Sequence, residues 1–142
     1  MDKNSVSIFS DGGARGNPGL AACAFVVFDD SKVLHKESKY LGSTTNNVAE
    51  YQGVLLALNW LADSGIQHQV SSVRFYLDSE LIAKQLNGLY KVKDSDLKSL
   101  FLLIKSLQGK LKVKIFFYHI PRSKNKLADF LVNQELDKDR TA

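Results

Sequence analysis

Cysteine, histidine and long apolar runs are scarce in this 142-residue chain. The single cysteine, Cys23, excludes a disulfide framework and fits a reducing compartment. The three histidines (His35, His68 and His119) lie far apart, so no zinc-type cluster is indicated. No stretch approaches the about 18 apolar residues of a membrane span, and the N-terminus lacks a signal-peptide pattern. These absences predict a cytoplasmic protein without a membrane partner.

The charge and length of the chain limit the kinds of partner and the number of domains that we expect. A formal net charge of +4 and a pI near 9.1 permit a polyanionic partner without requiring one. The length suits one domain, and no repeat, linker or low-complexity segment divides it. We expect a single domain over residues 1–142 with its core at about 5–136. Nothing indicates an obligate protein partner, and a monomer is expected.

The pattern of apolar residues changes along the chain from strands to alternating helices and strands. Strands are predicted at 6–10, 21–28, 32–41, 73–77 and 113–120, and the glycine-rich segment 11–19 is predicted to be a loop. Helices are predicted at 48–62, 79–86, 96–107 and 123–136, with Gly65 following the first. The order β-β-β-α-β-α-α-β-α predicts an α/β fold with a mixed, helix-covered sheet.

Four acidic residues lie at the ends of predicted strands or within predicted helices. Asp11 and Asp78 end the first and fourth strands, and Glu50 and Asp129 lie in the first and last helices. Each has an ordinary structural explanation: a turn residue for Asp11, a capping box with Asn47 for Glu50, a helix cap for Asp78 and an exposed helix position for Asp129. Spacing alone leaves these explanations open.

Adjacent strands would bring Asp11 and Asp78 side by side. Two such charges about 4 Å apart repel by roughly 1–4 kcal/mol, depending on the dielectric. A shared proton, a lysine or a divalent cation must then neutralise them. Carboxylate ligands suit Mg²⁺ or Mn²⁺ better than zinc, so a hard cation is the favoured partner.

Four sequence blocks carry a family resemblance over about residues 5–136. They are 10–19 (SDGGARGNPG), 44–51 (TTNNVAEY), 75–79 (FYLDS, continuing to 86–93, LNGLYKVK) and 119–129 (HIPRSKNKLAD). In this order the blocks resemble the type 1 ribonuclease H family. The resemblance implies a five-stranded mixed sheet, with three antiparallel strands followed by parallel strands, and helices on both faces.

The resemblance also implies an activity. It identifies Asp11, Glu50, Asp78 and Asp129 as catalytic, metal-binding acids and the RNA–DNA hybrid as the partner. Endonucleolytic hydrolysis of the RNA strand would give 5′-phosphate and 3′-hydroxyl ends. Two Mg²⁺ (or Mn²⁺) ions about 3.5–4 Å apart can activate the water, fix in-line geometry and neutralise the developing charge.

Substrate contacts are assigned in part by the resemblance and in part by residue chemistry. The RNA 2′-hydroxyl distinguishes the hybrid from DNA, and glycines let the backbone approach the sugar–phosphate chain. The resemblance implies contacts from the side chains of the second block and of the first loop. The candidate substrate-binding residues are Gly12, Gly13, Asn17, Thr45, Asn46, Asn47, Ser79 and Arg122.

The chain departs from bacterial members of the family in two ways. It has room for only one helix between Lys93 and Lys112, so the basic protrusion of those members is missing and a smaller DNA contact is expected. Their catalytic-loop histidine also has no counterpart, because His119 lies on the strand side of Pro121. We expect Arg122 to meet phosphate or assist product release instead.

Two other functions remain open at this point. A hybrid-binding module without cleavage is disfavoured by the presence of all four acids. A DNA nuclease or resolvase on the same fold is disfavoured by the 16–19 and 44–47 segments, although the fold alone does not exclude it.

Overall fold

A computed structural model describes residues 5–140 of the chain. The predicted element order is confirmed, with two short 3₁₀ turns added at Ile66–His68 and Arg122–Lys124. The strands are β1 (Ser5–Gly16), β2 (Gly19–Asp29), β3 (Lys32–Thr44), β4 (Ser72–Leu77) and β5 (Lys114–His119), and the helices are α1 (Asn46–Ser64), α2 (Glu80–Leu86), α3 (Ser95–Lys110) and α4 (Lys126–Leu136).

The five strands form one mixed sheet in the order β3-β2-β1-β4-β5. β1, β2 and β3 pair antiparallel, whereas β4 pairs parallel with β1 and β5 pairs parallel with β4. Parallel neighbours require crossover connections, which α1 and the α2–α3 segment provide. The predicted fold class is therefore confirmed. Strands β1 and β4 are neighbours, which is the condition for Asp11 and Asp78 to lie side by side.

Helices cover both faces of the sheet. Strand β2 is buried on both sides, and its alternate side chains enter different clusters. Phe25 and Val27 pack into the main core with α1, whereas Ala24 and Val26 pack against α4. Within residues 5–140, no helix is long and apolar enough to cross a membrane.

The prediction of a loop at 11–19 is wrong. Strand β1 continues to Gly16 and pairs with β2 throughout, so the turn is confined to Asn17 and Pro18. Glycine usually weakens a strand because it loses more conformational entropy on folding than other residues. Here, however, the absence of a side chain is required. A Cβ on Gly12 would lie 2.2 Å from the Ala49 carbonyl carbon, so the close approach of α1 selects glycine within the strand.

The helix caps also differ from the expected residues. Thr45 caps α1 by accepting a hydrogen bond from the Val48 N–H at 3.2 Å, so the proposed capping box of Asn47 with Glu50 is wrong. Ser79 caps α2 in the same way, and Asp78 is left outside the helix. The two acids are therefore not used as caps, which removes their ordinary structural explanations.

Candidate active site

Three carboxylates converge at one edge of the sheet. Asp11 lies on β1, Asp78 directly follows β4, and Glu50 lies on α1. One oxygen atom from each carboxylate lies within 4.8 Å of the others. Asp11 is only 9% exposed. All three line a cleft of about 360 Å³, so the side-by-side arrangement expected of Asp11 and Asp78 is present.

Two glycines allow α1 to carry Glu50 so close to Asp11. Gly12 leaves space for the Ala49 backbone, and on the helix side Gly53 lies against β1. A Cβ on Gly53 would lie 2.7 Å from the backbone oxygen of Asp11. Helix and strand therefore meet backbone to backbone, and this contact sets the position of Glu50 in the cleft.

Burial and mutual repulsion raise the pKa values of two of these acids. Burial, followed by the charge of Asp78, raises the pKa of Asp11 to about 7, although the Gly12 N–H donates to its Oδ1 at 2.9 Å. Burial, followed by the charges of Asp11 and Asp78, raises the pKa of Glu50 to about 8. Like charges close together disfavour ionisation, and a bound cation would reverse this effect.

Asp129 reaches the same cleft from the first turn of α4. It lies outside the tight group of three, and its Oδ1 is 3.6 Å from Nη2 of the exposed Arg122 side chain. Arg122 also lines the cleft, where its positive charge offsets part of the rise in the pKa values of Asp11 and Glu50. The cleft thus brings together all four acids found in the sequence.

The chemistry of this donor set fits a hard divalent cation. The cluster offers three carboxylates, and among residues 5–140 no histidine or cysteine joins it. Oxygen-only sites of this kind suit Mg²⁺ and Mn²⁺, which accept carboxylate and water ligands. Asp11, Glu50 and Asp78 would hold such an ion, and Asp129 lines the same cleft.

The predicted substrate residues fall into two groups. Gly12, Gly13, Asn46 and Arg122 line the cleft, whereas Asn17, Thr45, Asn47 and Ser79 are not among its lining residues. Asn46 Oδ1 accepts the Ala14 N–H at 2.8 Å, and Asn17 Oδ1 accepts the Asn46 N–H at 3.0 Å. These amides join the β1–β2 hairpin to the start of α1. Thr45 and Ser79 use their hydroxyl oxygens as helix caps.

Sequence reasoning missed several residues of the site. Arg15 and Asn133 line the cleft, and Arg15 also forms an ion pair with Asp137 at 2.7 Å. Asn125 donates a side-chain hydrogen bond to Asp78 at 2.9 Å. The signal for Arg15 and Asn125 was their place inside the first and fourth blocks. His119 is the last residue of β5, as expected of a strand residue, and is not among the residues lining the cleft.

Comparisons with known proteins agree with this fold and cleft. A family model described as "Reverse transcriptase-like" matches residues 9–135. The "Bifunctional protein Rv2228c" of Mycobacterium tuberculosis is 37% identical over 134 residues, covering 93% of this chain and 35% of the relative. The "Ribonuclease HI" of Halobacterium salinarum is 34% identical, covering 93% of this chain and 64% of the relative. This chain therefore spans only part of the length of these relatives.

A solved structure matches over nearly its full length. The compost-derived LC11-RNase H1, determined in complex with an RNA/DNA hybrid, is 44% identical with a TM-score of 0.86. The match covers 91% of this chain and 94% of that chain. RNase H1 from Halobacterium salinarum has a TM-score of 0.85 at 33% identity.

The fold, the cleft and these relatives define an RNase H-like α/β protein. The 44% sequence identity to LC11-RNase H1, over 94% of that chain, identifies the family within this class. The chain belongs to the type 1 ribonuclease H family, as its four sequence blocks predicted. It has the compact form, because a single helix, α3, occupies the stretch between Lys93 and Lys112.

Proposed function

We propose that this chain is a ribonuclease H that hydrolyses the RNA strand of RNA–DNA hybrids. The single observation that carries the proposal is the convergence of Asp11, Glu50 and Asp78 within 4.8 Å in an open cleft. The hybrid complex of the similar LC11-RNase H1 supports the choice of substrate. The cleavage is a hydrolysis: a water oxygen bonds to phosphorus and the bond to the 3′ oxygen breaks. The products carry 5′-phosphate and 3′-hydroxyl ends.

The four acids act together as metal-binding, catalytic residues in this proposal. Two Mg²⁺ or Mn²⁺ ions, when bound, would lower the pKa of the attacking water and stabilise the negative charge on the leaving oxygen. Asp11, the most buried of the cluster, would serve as a ligand of the cations, whose positive charge would favour its ionised form. Glu50 on α1 and Asp78 after β4 would be further ligands, and Asp129, which lines the same cleft, would be the fourth acid.

The β1 edge of the cleft suits the RNA strand. Gly12 and Gly13 line the cleft without side chains, so a ribose can approach their backbone closely. The Asn46 and Asn17 amides use their oxygens within the protein, which leaves each NH₂ group to donate to substrate oxygens. The 2′-hydroxyl accepts as well as donates, and contacts of this kind distinguish RNA from DNA.

The remaining substrate candidates lie around the cleft. Thr45 and Asn47 lie at the start of α1, where backbone N–H groups and helix polarity favour a phosphate of the DNA strand. Ser79 adjoins Asp78. Arg122 is 81% exposed beside Asp129, so its guanidinium can reach a phosphate that enters the cleft. We assign Arg122 to phosphate binding or product release.

A cleavage assay with four matched substrates tests the proposal. The substrates share one sequence and carry an end label as an RNA–DNA hybrid, a DNA duplex, an RNA duplex and single-stranded RNA. We expect hybrid cleavage in Mg²⁺ or Mn²⁺, complete inhibition by EDTA, and fragments whose ends accept ligation as 5′-phosphate and 3′-hydroxyl.

Each other outcome assigns a different function. Binding of the hybrid without cleavage at any metal concentration would identify a non-cleaving module. Equal cutting of the DNA duplex would identify a nuclease without RNA selectivity. Cleavage that persists in EDTA would remove the cations from the proposal.

A further inference from the structure

Asn125 makes an unusual set of contacts beside the cleft. It lies between the 3₁₀ turn Arg122–Lys124 and α4, and only 1% of it is exposed. It precedes a helix, yet its side chain does not cap α4. Its Nδ2 instead donates to the Ser10 backbone oxygen and to Asp78 Oδ2, each at 2.9 Å.

The same residue is joined to the segments that carry three of the acids. Ser10 directly precedes Asp11, so the first amide bond ends on the strand of that acid. The second bond ends on the carboxylate of Asp78. The backbone oxygen of Asn125 accepts the N–H of Asp129 at 3.2 Å. One buried side chain and its own backbone therefore connect β1, the end of β4 and α4.

The orientation of the amide follows from its partners. A backbone carbonyl and a carboxylate are both acceptors, so the NH₂ group and not the oxygen must face them. The opposite atom, Asn125 Oδ1, is buried without a hydrogen-bond partner among the described residues. Leaving such an atom unpaired costs about 1–3 kcal/mol. This cost offsets part of what the two hydrogen bonds of Nδ2 contribute to stability, so the residue is better explained by the partners that it connects.

We propose that Asn125 is a positioning residue that fixes the Asp78 carboxylate for cation binding. The bond to Oδ2 prevents free rotation of the carboxylate and leaves Oδ1 for the ion. It also sets Asp78 relative to Asp11, because the same NH₂ group is bonded to Ser10. Hydrogen bonds to ligating carboxylates orient metal ligands in this way. This inference rests on the proposed metal site and deepens it.

Direct measurement of Mn²⁺ binding tests the inference without relying on activity. Mn²⁺ is titrated by calorimetry into the wild-type protein, Asn125→Ala and Asn125→Ser, and the metal-induced rise in Tm is recorded. We expect about 10–100-fold weaker binding for Asn125→Ala. Asn125→Ser retains one hydroxyl donor and should be intermediate. The Mg²⁺ concentration for half-maximal hybrid cleavage should rise in parallel, with kcat recovering at saturating Mg²⁺.

Asn87→Ala is the matched control. The Asn87 amide also donates to a backbone oxygen, that of Phe117 at 3.1 Å, but is not among the cleft-lining residues. This variant should lower Tm and leave Mn²⁺ affinity unchanged. Should Asn125→Ala not fold, Asn125→Ser decides on the same measurements.

The outcomes separate this inference from the proposed function. If the wild-type protein binds Mn²⁺ and cleaves hybrid while the Asn125 variants bind equally tightly, only the positioning role is overturned. If the folded wild-type protein binds no Mn²⁺, the metal site and the positioning role both fall.

Discussion

Helix α4 carries one acidic side chain that is surrounded by cations, Glu135, and one that lies beside the acidic cleft, Asp129. Toward its C-terminal end, Glu135 is 7% exposed and accepts hydrogen bonds from Lys138 at 3.0 Å, Ser38 at 2.8 Å and Arg140 at 2.5 Å. The bonds from Lys138 and Ser38 lower the pKa of Glu135. Toward its N-terminal end, Asp129 faces the cleft and has Arg122 at 3.6 Å.

The cleft beside Asp129 shows the opposite arrangement. Asp11, Glu50 and Asp78 lie against one another, and burial and repulsion raise the pKa values of Asp11 and Glu50. The protein neutralises Glu135 with its own cations but leaves these acids crowded together. Partners within the protein satisfy the Glu135 carboxylate, whereas the crowded acids need a proton or a bound cation to relieve their repulsion. We therefore expect a structural role for Glu135, and the crowded acids are the ones to which we assign the proposed catalytic role.

Removing one acid from each setting gives the largest expected contrast. Asp11→Asn should reduce hybrid cleavage in Mg²⁺ to the level of the protein-free control, because the central ligand loses its charge. Glu135→Gln should retain cleavage, since Glu135 is not among the cleft-lining residues. The end-labelled hybrid assay measures both. Comparable activity in the two variants would abolish the distinction between the paired acid and the crowded acids.

The backbone contact behind the acidic cleft is the next test. Gly12→Ala places a Cβ about 2.2 Å from the Ala49 backbone, so α1 must move or the strand must distort. We expect a loss of about 3 kcal/mol or more in the free energy of unfolding. Urea denaturation measures it.

Gly109→Ala provides the control for the glycine test. Gly109 lies in α3 with nothing within 4 Å of an added Cβ, so alanine should stabilise by about 0.5–1 kcal/mol. A Gly12→Ala protein as stable as wild type would show that the close helix approach is not required.

Stability should respond oppositely in the two acidic settings. In EDTA at pH 8, Glu135→Gln should destabilise by about 1–3 kcal/mol, because it breaks hydrogen bonds to a charged group. Asp11→Asn should stabilise by about 1–2 kcal/mol, because it removes a repelling buried charge. Chemical denaturation compares them. A destabilised Asp11→Asn protein would count against carboxylate crowding.

The pH dependence of the metal-free protein is the last test of this contrast. The pKa values of Asp11 and Glu50 rise from 3.8 and 4.5 to about 7 and about 8 on folding, so the folded state binds protons more tightly. Their stability contribution is present below the ordinary values and lost as pH rises toward 8. Tm in EDTA should therefore fall between about pH 5 and pH 8.

Glu135 and Mg²⁺ provide the controls for this pH profile. The lowered pKa of Glu135 gives the opposite sign, because its stabilisation is present above its ordinary value and lost as pH falls through the folded value. Mg²⁺ and Asp11→Asn should each flatten the decline toward pH 8. A wild-type profile that is already flat in EDTA would contradict the raised pKa values.

Much of the fold could be predicted because its signals are local. Apolar residues at helical spacing identified α1, and Gly65 ends it with the left-handed φ of 80° that glycine tolerates. The 11–19 segment failed because local propensity opposed the tertiary contact. Gly12, which looks like a loop residue in the sequence, is a strand residue selected by the close approach of the α1 backbone.

The site was only partly predictable for a similar reason. The four acids were found because they lie in recognisable sequence blocks, but Asn125 and Arg15 were not singled out. Their roles depend on partners distant in sequence, such as Asp78 for Asn125 and Asp137 for Arg15. Nothing in the spacing of an amide or a guanidinium indicates which carboxylate it meets.

The order of residues alone determined the element types, the family and the set of acids available for chemistry, because periodicity and motifs are written along the chain. Tertiary structure decided which acids repel and which are paired. It brought Asp11, Glu50 and Asp78 within 4.8 Å and surrounded Glu135 with cations. Electrostatic energy depends on distance through space and on burial, and neither quantity exists until the chain has folded.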